Sequence, residues 1–355
     1  MEQKNERVSV IVVGYNHKKY LADCLRAFQA SGSQARLTLI DNASTDGTAA
    51  YVRAELKPDA FIASEKNLGF AGGNNLGFDI ALRDGDAFVY LLNPDTEAQP
   101  GFIEHALEVM RSDPKIGIVQ SLLVLHPETT KVNSWGNEIH FLGFGYAGGE
   151  SVPVTQALGE GKLTVRDIAY ASGAGMLVRA EVLREIGGLA EELFAYHEDL
   201  EFSWRARLAG WRVVLAPASV VYHKYEFSRS IKKWYWMERN RFLVMAWCYG
   251  LQTLLLVAPA LLCTEVVLWL FALRGGWWRE KARAYEYILN PAHWPAIAAT
   301  RRKVQALRKA DEKSVTKLFT GEIKFQQMDS SIVRAGNIVL SSYWMLCRKL
   351  MGWDL

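Results

Sequence analysis

Apolar runs and amphipathic segments alternate along the first two-thirds of the chain, and the alternation predicts strands followed by helices. Residues 8–13 are a β-branched apolar run that stops at Gly14, Tyr15 and Asn16. From Lys18 onward Leu21, Leu25 and Phe28 recur at helical spacing until Gly32. Residues 37–40 predict a second strand. The DNASTDGT stretch after it, residues 41–48, reads as a strand end, a polar loop and a helix cap drawn from Ser44, Thr45 or Asp46. Gly69, Gly72 and Gly73 then precede a helix carrying Leu76, Ile80 and Leu82. Phe88, Val89, Tyr90, Leu91 and Leu92 form the continuous apolar run expected of a central strand covered on both faces. Pro94 cannot donate to a sheet ladder and ends it. A helix over 102–110 and a strand over 116–124 continue the pattern. Residues 126–166 lack a clear period and are rich in Gly, Pro and Thr, so they read as loops and short antiparallel strands over one sheet edge. Residues 172–189 read as turn, strand, helix and glycine stop. Asp199 follows in the first turn of a helix that carries Phe202 and Leu208 and ends at Gly210, and WRVVLAP is a further strand. Such alternation predicts an α/β fold with a parallel sheet.

The pattern changes over residues 242–273, where Glu265 is the single charge. As one straight helix this stretch would be about 48 Å long, against a hydrocarbon core of about 30 Å. Pro259 divides it near the middle, into halves shorter than the roughly 20 residues of a span. Lys232, Lys233, Arg239 and Arg241 precede it, and Arg274, Arg279, Lys281 and Arg283 follow. Positive residues on both flanks predict both ends on the cytosolic side. The expectation is a re-entrant or in-plane helical hairpin with Trp234, Trp236, Trp277 and Trp278 at the interface. A buried hairpin of a soluble protein or dimer is the other arrangement the pattern allows. Residues 301–309 predict a basic helical face suited to anionic lipid heads, and residues 332–353 a last helix on the membrane. The expected division is a catalytic domain over 1–227, an interfacial linker helix over 228–241, the apolar hairpin over 242–273 and basic, amphipathic helices over 274–355.

A chain of 355 residues suits one large domain with an appendage. Its net charge of +3 carries no nucleic-acid signal. Cys24, Cys248, Cys263 and Cys347 are too scattered for a zinc knuckle or redox pair, and read as buried thiols of a reducing compartment. The charged MEQKNERVSV start has no apolar leader core, which predicts a cytosolic catalytic part. Most of the twelve tryptophans follow Trp204, consistent with a membrane boundary.

Two acids, Asp41 and Asp95, fall at strand carboxyl ends, where open α/β sheets bind ligands. A carboxylate at Asp95 suits a hard divalent cation that also holds phosphate oxygens, although an ordinary Pro-Asp turn accounts for the same residues. Glycines at a helix start let backbone amides approach a phosphate, but their spacing here is neither a Walker loop nor GxGxxG. A plain glycine-rich loop serves equally well. Asp199 is either a macrodipole partner or a base that the same dipole keeps ionised. His223 is either structural or a ligand. Arg229 and Lys233 either reach a diphosphate or snorkel from an interfacial helix. A dinucleotide oxidoreductase is excluded because GYNHKK, not a glycine fingerprint, follows the first strand.

Taken in order, VSVIVVGYN, DNASTDGT, EKNLGFAGGNNLG, LLNPDTE, SGAGMLVRAEVLREIGG and FAYHEDLEFSWR resemble the family-two inverting glycosyltransferases. The resemblance covers roughly the first two-thirds of the chain. It implies the GT-A fold, a Rossmann-like, mostly parallel sheet with helices on both faces, here followed by a helical, membrane-associated region. It implies that Asp41 binds a uracil or thymine ring, with Tyr15, Asn16, Asn67, Gly72, Asn74 and Asn93 around the nucleotide. Asp95 would be the last acid of the DxD element, holding Mg2+ or Mn2+ against the diphosphate, and His223 matches a position that helps bind the metal in some relatives. Asp199 would be the general base, with Glu198 beside it, and Arg229, Lys233 and Trp204 would face the diphosphate or acceptor. Asn93 stands where DxD has its first acid. It offers an oxygen or a hydrogen bond to ribose but no charge, so the metal site is expected to lean on nucleotide phosphates. The NPD form resembles the branch containing rhamnosyltransferases that use dTDP-rhamnose. The implied activity adds one sugar to a glycan on a polyprenyl diphosphate, for a cell-surface polysaccharide, at the cytosolic face of a membrane. The alternatives are a UDP-sugar donor, synthesis of a polyprenyl-phosphate sugar, or a catalytically silent nucleotide-sugar-binding partner. A homo-oligomer is compatible with each.

Overall fold

The computed structural model describes residues 6–158, 163–225, 233–324 and 331–353. The chain divides into two compact units, the first formed by residues 1–137, 147–206 and 211–226, the second by residues 138–146, 207–210 and 227–355.

The first unit opens with β1 (Val8–Gly14), α1 (Lys18–Ala30), β2 (Arg36–Asp41), α2 (Thr48–Glu55), β3 (Ala60–Ala63), α3 (Gly69–Arg83) and β4 (Phe88–Leu92). It continues with β5 (Thr96–Ala98), α4 (Phe102–Ser112), β6 (Ile116–Leu125) and β7 (Val132–Ser134). The short β8 (Asn137–Ile139) and β9 (Gly145–Ala147) pair with each other. Then come α5 (Val154–Leu158), β10 (Arg166–Asp167), β11 (Gly175–Arg179), α6 (Ala180–Ile186), α7 (Glu198–Leu208) and β12 (Arg212–His223). The main sheet runs in the order β10-β12-β6-β11-β4-β1-β2-β3. β3, β2, β1 and β4 form a parallel block, and β6 is parallel to β12, while β11 runs antiparallel between β4 and β6.

Strand periodicity places helices on both faces. Val8, Val10 and Val12 share one core cluster with Leu21, Cys24, Leu25 and Phe28 of α1 and with Phe102, Ile103 and Ala106 of α4. The alternate residues Ile11 and Val13 meet α3. Here the glycines differ from expectation: they lie inside α3, not ahead of it. A Cβ on Gly73 would come 2.6 Å from Val13 Cγ1, and one on Gly77 would come 2.5 Å from Ile11 Cδ1. These glycines therefore let a helix approach the sheet closely. Three amides at the start of α3 are already spoken for. Leu68 N–H donates to Asn42 Oδ1 at 2.9 Å, Gly69 N–H to Asn67 Oδ1 at 2.8 Å, and Ala71 N–H to the Phe194 carbonyl at 3.2 Å. A phosphate cradle at this helix start, with Gly72 in it, is therefore not what the glycines build.

β12 changes register between Ala216 and Val220, across Pro217, which has no N–H to give a ladder. Beyond the shift, Val221, Tyr222 and His223 pair with Ala98, Glu97 and Thr96 of β5. That pairing carries the end of β12 to the loop after β4. The aperiodic stretch supplies β7, antiparallel on β6, and β10, antiparallel on β12 at the sheet edge.

The second unit contains α8 (Lys233–Cys248), α9 (Leu251–Arg274), α10 (Trp278–Leu289), α11 (Trp294–Ala306), α12 (Glu312–Thr316) and α13 (Ser331–Leu350). The apolar stretch does break into two helices, but at Tyr249 and Gly250, not at Pro259, which lies inside a continuous α9. Capping decides the position. Gln305 and Arg308 donate to the Cys248 carbonyl at 3.1 and 2.7 Å, and Arg301 to the Tyr249 carbonyl at 2.7 Å, ending α8. Gly250 N–H donates to both Glu312 carboxylate oxygens at 2.9 and 3.0 Å, starting α9. Arg301 and Arg308 thus serve as caps and not as part of an outward basic face. Pro259 leaves the Leu255 carbonyl without its helical donor. The carbonyl beside it, Leu256, receives the Tyr343 hydroxyl at 2.6 Å.

Among the described residues α9 is the helix whose length and apolarity would let it cross a membrane, with a mean hydropathy of 2.3. Unlike a soluble surface helix, it exposes an apolar face. The buried face mixes Val257, Ala260, Leu268 and Ala272 with Thr253, Thr264 and Glu265, and the exposed face holds Leu251, Leu255, Leu262, Val266, Leu270 and Leu273, so the helix is apolar on both sides. Cys263 lies among the exposed residues, unlike the buried Cys24, Cys248 and Cys347. Glu265 is neutralised from α8 and α10: Lys281 Nζ lies 2.7 Å from Glu265 Oε2 and 2.5 Å from Glu238 Oε2, and Arg241 pairs with both acids. Tyr285 adds a hydroxyl at 2.7 Å. All four charges are at least nine-tenths buried.

Candidate active site

The parallel strands end together. Gly14 pairs with Asp41, and Asn42 N–H donates to the Gly14 carbonyl at 2.8 Å. Asp41 is 2 % exposed, and its Oδ1 accepts from Ser44 N–H at 3.3 Å. Asn16 has a left-handed backbone, φ 58°, which asparagine tolerates. Its Oδ1 accepts from Thr45 N–H at 2.8 Å, and its N–H donates to Ser44 Oγ at 2.9 Å. These bonds fasten the loop after β1 to the loop after β2. Tyr15 stands exposed beside them. Asn42 is a hub that sequence reasoning passed over: its amide donates to Asn67 Oδ1 at 3.1 Å and to the Gly69 carbonyl at 2.8 Å, while accepting Leu68 N–H. Asn74 is buried and donates to the Phe70 carbonyl at 2.9 Å.

After β4, Asp95 meets the end of β12. Its carbonyl accepts from Lys224 N–H at 2.8 Å, and Lys224 Nζ bridges Asp23 and Glu97 at 2.7 Å each. His223 Nε2 stands 3.5 Å from Asp95 Oδ1, a buried oxygen with no hydrogen-bond partner. Burial alone would raise Asp95, but the His223 contact and the charges of His223 and His17 hold it below the usual carboxylate range. Sequence reasoning also missed His17, which feels the Asp95 and Asp46 charges yet is held below its ordinary value chiefly by burial. An orphaned carboxylate oxygen beside an imidazole nitrogen fits a divalent cation. Among the described residues no group of three or more His, Cys, Asp or Glu converges on one point, so protein acids and imidazoles do not complete such a site by themselves.

The acid pair Glu198–Asp199 opens α7. Asp199 Oδ1 accepts from Leu200 N–H at 2.8 Å and Oδ2 from Gly173 N–H at 3.2 Å. The next residue, Ala174, accepts Asn93 N–H at 3.2 Å, so a two-residue turn links Asp199 to the loop that bears Asp95. Burial pushes Asp199 up to about 6, the backbone donors opposing it. The helix start does not hold it at its ordinary value, as the macrodipole alone would, because desolvation wins. Glu198 is raised well above its ordinary value by burial and then by the Asp199 charge, and its Oε2 has no partner. The approach to the pair is strained. Phe194 forms a γ-turn, φ 61° and ψ −65°, with Ala195 N–H on the Leu193 carbonyl at 2.7 Å, and Tyr196 and His197 also have positive φ.

Residues 5–243 match the family described as glycosyltransferase like family 2. The chain belongs to glycosyltransferase family 2. One similar protein is the N-acetylglucosaminyl-diphospho-decaprenol L-rhamnosyltransferase of Mycobacterium tuberculosis (strain ATCC 25618 / H37Rv), 27% identical over 234 residues, 61% of this chain and 75% of that protein. Another is the low-salt glycan biosynthesis hexosyltransferase Agl10 of Haloferax volcanii, 26% identical over 201 residues, 56% of this chain and 61% of that protein. The crystal structure of GalNAc-T7 with UDP, GalNAc and Mn2+ superposes with a TM-score of 0.53 at 14% identity, over 69% of this chain and 48% of that one. This likeness shows the fold, which is GT-A-like, and the chain continues past the matched region into the helical second unit.

Within this family frame, two expected contacts change. Trp204 is 1 % exposed on α7, so its indole offers no surface to a diphosphate. Lys233 is buried at the start of α8, over the Trp234 ring, and burial lowers its pKa. Arg229 lies outside the described residues.

Proposed function

We propose that this family-two transferase moves one sugar, rhamnose from dTDP-rhamnose, onto a glycan carried by a polyprenyl diphosphate, for a cell-surface polysaccharide. The observation that carries the reading is the short link between two chemistries. Gly173 holds the Asp199 carboxylate, and its neighbour Ala174 holds Asn93, two residues before Asp95. A base and a diphosphate-side carboxylate on one connected turn suit a single displacement. The acceptor hydroxyl gives its proton to Asp199 while its oxygen bonds to the anomeric carbon. The carbon–oxygen bond to the nucleoside diphosphate breaks with its electron pair, and the configuration inverts. Glu198, raised well above its ordinary value by burial and by the Asp199 charge, leaves Asp199, pushed up to about 6, as the member of the pair suited to the base role. Asp41 faces the nucleobase, with Tyr15, Asn16, Asn67 and Asn74 in the loops that shape that end and Asn93 toward the ribose. Asp95 and His223 would hold Mg2+ or Mn2+, which when bound supplies positive charge to the leaving diphosphate. The names of the two relatives support a sugar transfer into glycan synthesis, and that of the rhamnosyltransferase supports rhamnose as the sugar and a polyprenyl diphosphate as the carrier.

A lipid-borne acceptor places the enzyme at the cytoplasmic face of a membrane. The exposed apolar face of α9 supports this: Leu251, Leu255, Leu262, Val266, Leu270 and Leu273 are open, while its acid is neutralised inward by α8 and α10. The arrangement favours one-sided attachment over a crossing.

Calorimetry with dTDP-rhamnose and UDP-sugars, with and without Mg2+, tests the reading. We expect metal-dependent preference for dTDP-rhamnose, and in Asp95→Ala a loss of affinity seen only when metal is present. Preference for a UDP-sugar refutes the donor. Equal weakening of Asp95→Ala in a chelator refutes the metal role.

A further inference from the structure

We propose that Asn133 is a positioning residue that turns His223 into a metal ligand, an inference that rests on the reading of Asp95 and His223 as the metal pair. Asn133 is 4 % exposed, and its Oδ1 lies 2.8 Å from His223 Nδ1. An amide oxygen only accepts, so Nδ1 carries the proton, and in the neutral imidazole that a metal ligand must be, Nε2 presents a lone pair. That lone pair faces Asp95 Oδ1, which has no hydrogen-bond partner, at 3.5 Å. In that neutral form the two acceptors oppose each other until a cation takes the place of the Nε2 proton. If the Asn133 amide turned over, its NH2 would donate to Nδ1 and a proton on Nε2 would bond Asp95 and close the site. The side chain therefore selects between an open and a closed arrangement.

The backbone places Asn133 for this task. β7 pairs with β6 through Val132 opposite Val124 and Ser134 opposite Leu123, with a register shift between the pairs. Asn133 is the extra residue of that bulge, and a bulge re-aims a side chain that a regular strand would alternate. The neighbouring Ser134 is fixed by Gln120 Nε2 at 3.1 Å and by its own bond to Asn137 Oδ1 at 2.6 Å. The bulge thus has a firm footing, and the second partner of a metal-ligating imidazole governs its tautomer and orientation.

Mn2+ binding in the presence of dTDP, read by the electron paramagnetic resonance signal of free Mn2+, tests the role. Electron spin-echo modulation from a directly bound histidine nitrogen gives a second readout. The unaltered protein should show the modulation, and His223→Ala should abolish it. Asn133→Leu should weaken Mn2+ binding about 10- to 100-fold and reduce the modulation. Asn133→Asp, which can only accept from Nδ1, should keep both. In a His223→Ala background Asn133→Leu should have no further effect. Full affinity and intact modulation in Asn133→Leu overturn the proposal. So does an Asn133→Asp protein as weak as His223→Ala, a result that stands even if the leucine variant does not fold. Should His223→Ala leave both readouts unchanged in the otherwise unaltered protein, the metal reading itself falls, which separates the two failures.

Discussion

Asp199→Asn should inactivate the enzyme and stabilise the protein at the same time. Burial raises Asp199 from an ordinary 3.8 to about 6. A folded value above the unfolded one means that stability present at low pH is lost as pH rises through about 6. Above that point the ionised, buried carboxylate costs about 3 kcal/mol, because each tenfold change in proton affinity is worth about 1.4 kcal/mol. Asparagine carries no charge but retains a single acceptor oxygen, whereas Asp199 accepts from both Leu200 and Gly173. One amide N–H then faces an NH2 group, at a cost of about 1–2 kcal/mol. The net gain is about 1–2 kcal/mol at pH 7.5, which raises Tm by roughly 2–8 °C for a domain of this size, and it should fade toward pH 4. Transfer should fall about 10²- to 10⁴-fold, with donor binding nearly unchanged. Scanning calorimetry at pH 7.5 and 4.5, beside nucleotide release from donor and acceptor, reads both effects. The unaltered enzyme should gain kcat/KM as pH rises through about 6. Substantial turnover in the variant removes Asp199 from the base role, and a variant less stable at pH 7.5 than at pH 4.5, relative to the unaltered protein, refutes the burial effect.

Lys281→Met leaves Glu238 and Glu265 to share Arg241, with the Tyr285 hydroxyl on Glu265, and removing one partner of a buried network should cost about 3–5 kcal/mol, read as faster amide exchange in α8, α9 and α10; unchanged exchange would show that the network is dispensable. Leu262→Glu with Val266→Glu, both on the exposed face of α9, should abolish flotation with anionic liposomes while leaving Tm unaltered, and Cys263 on that face should react with thiol reagents in solution but resist them once vesicles are bound; flotation that survives the double change would reject α9 as the attachment surface.

The strands and helices of the first unit were legible because apolar period fixes them directly. Val8–Gly14 and Phe88–Leu92 are buried along their whole length, as unbroken β-branched and aromatic runs require. Asp41 ends β2 and Asp95 follows β4, the strand-end places that the apolar runs predicted. The rest was decided by tertiary contacts that no local pattern encodes. Glycines in α3 read equally as a phosphate loop or a plain one until Ile11 and Val13 are seen to need the space. Pro259 outranks Gly250 as a helix breaker by propensity, but Glu312, Arg301 and Arg308 supply caps at Gly250, and caps placed by distant residues prevail. Asn42 and Asn133 carry no motif of their own. Their roles exist once β1, α3, β6 and β12 have brought partners to them. Asp199 was found by its place in a motif, yet the direction of its pKa followed from burial, which the sequence did not reveal.

The backbone itself marks where function overrode folding preference. Among the described residues, non-glycine positive φ occurs at Asn16, Ala43, Ser151, Phe194, Tyr196 and His197. All but Ser151 lie in the loops after β1 and β2 or just before Glu198. Each such residue costs of the order of 1 kcal/mol, and glycine would avoid most of that. The chain uses glycine freely where a helix merely ends, as at Gly32 and Gly187. Local uses account for two of these positions. Asn16 fastens two loops through its side chain, and Phe194 offers its carbonyl to Ala71. Tyr196 is 38 % exposed, so core packing does not explain it. On the proposed function, a strained, exposed aromatic residue two positions before Glu198 would face the acceptor, where a ring offered to a sugar is worth more than a relaxed turn.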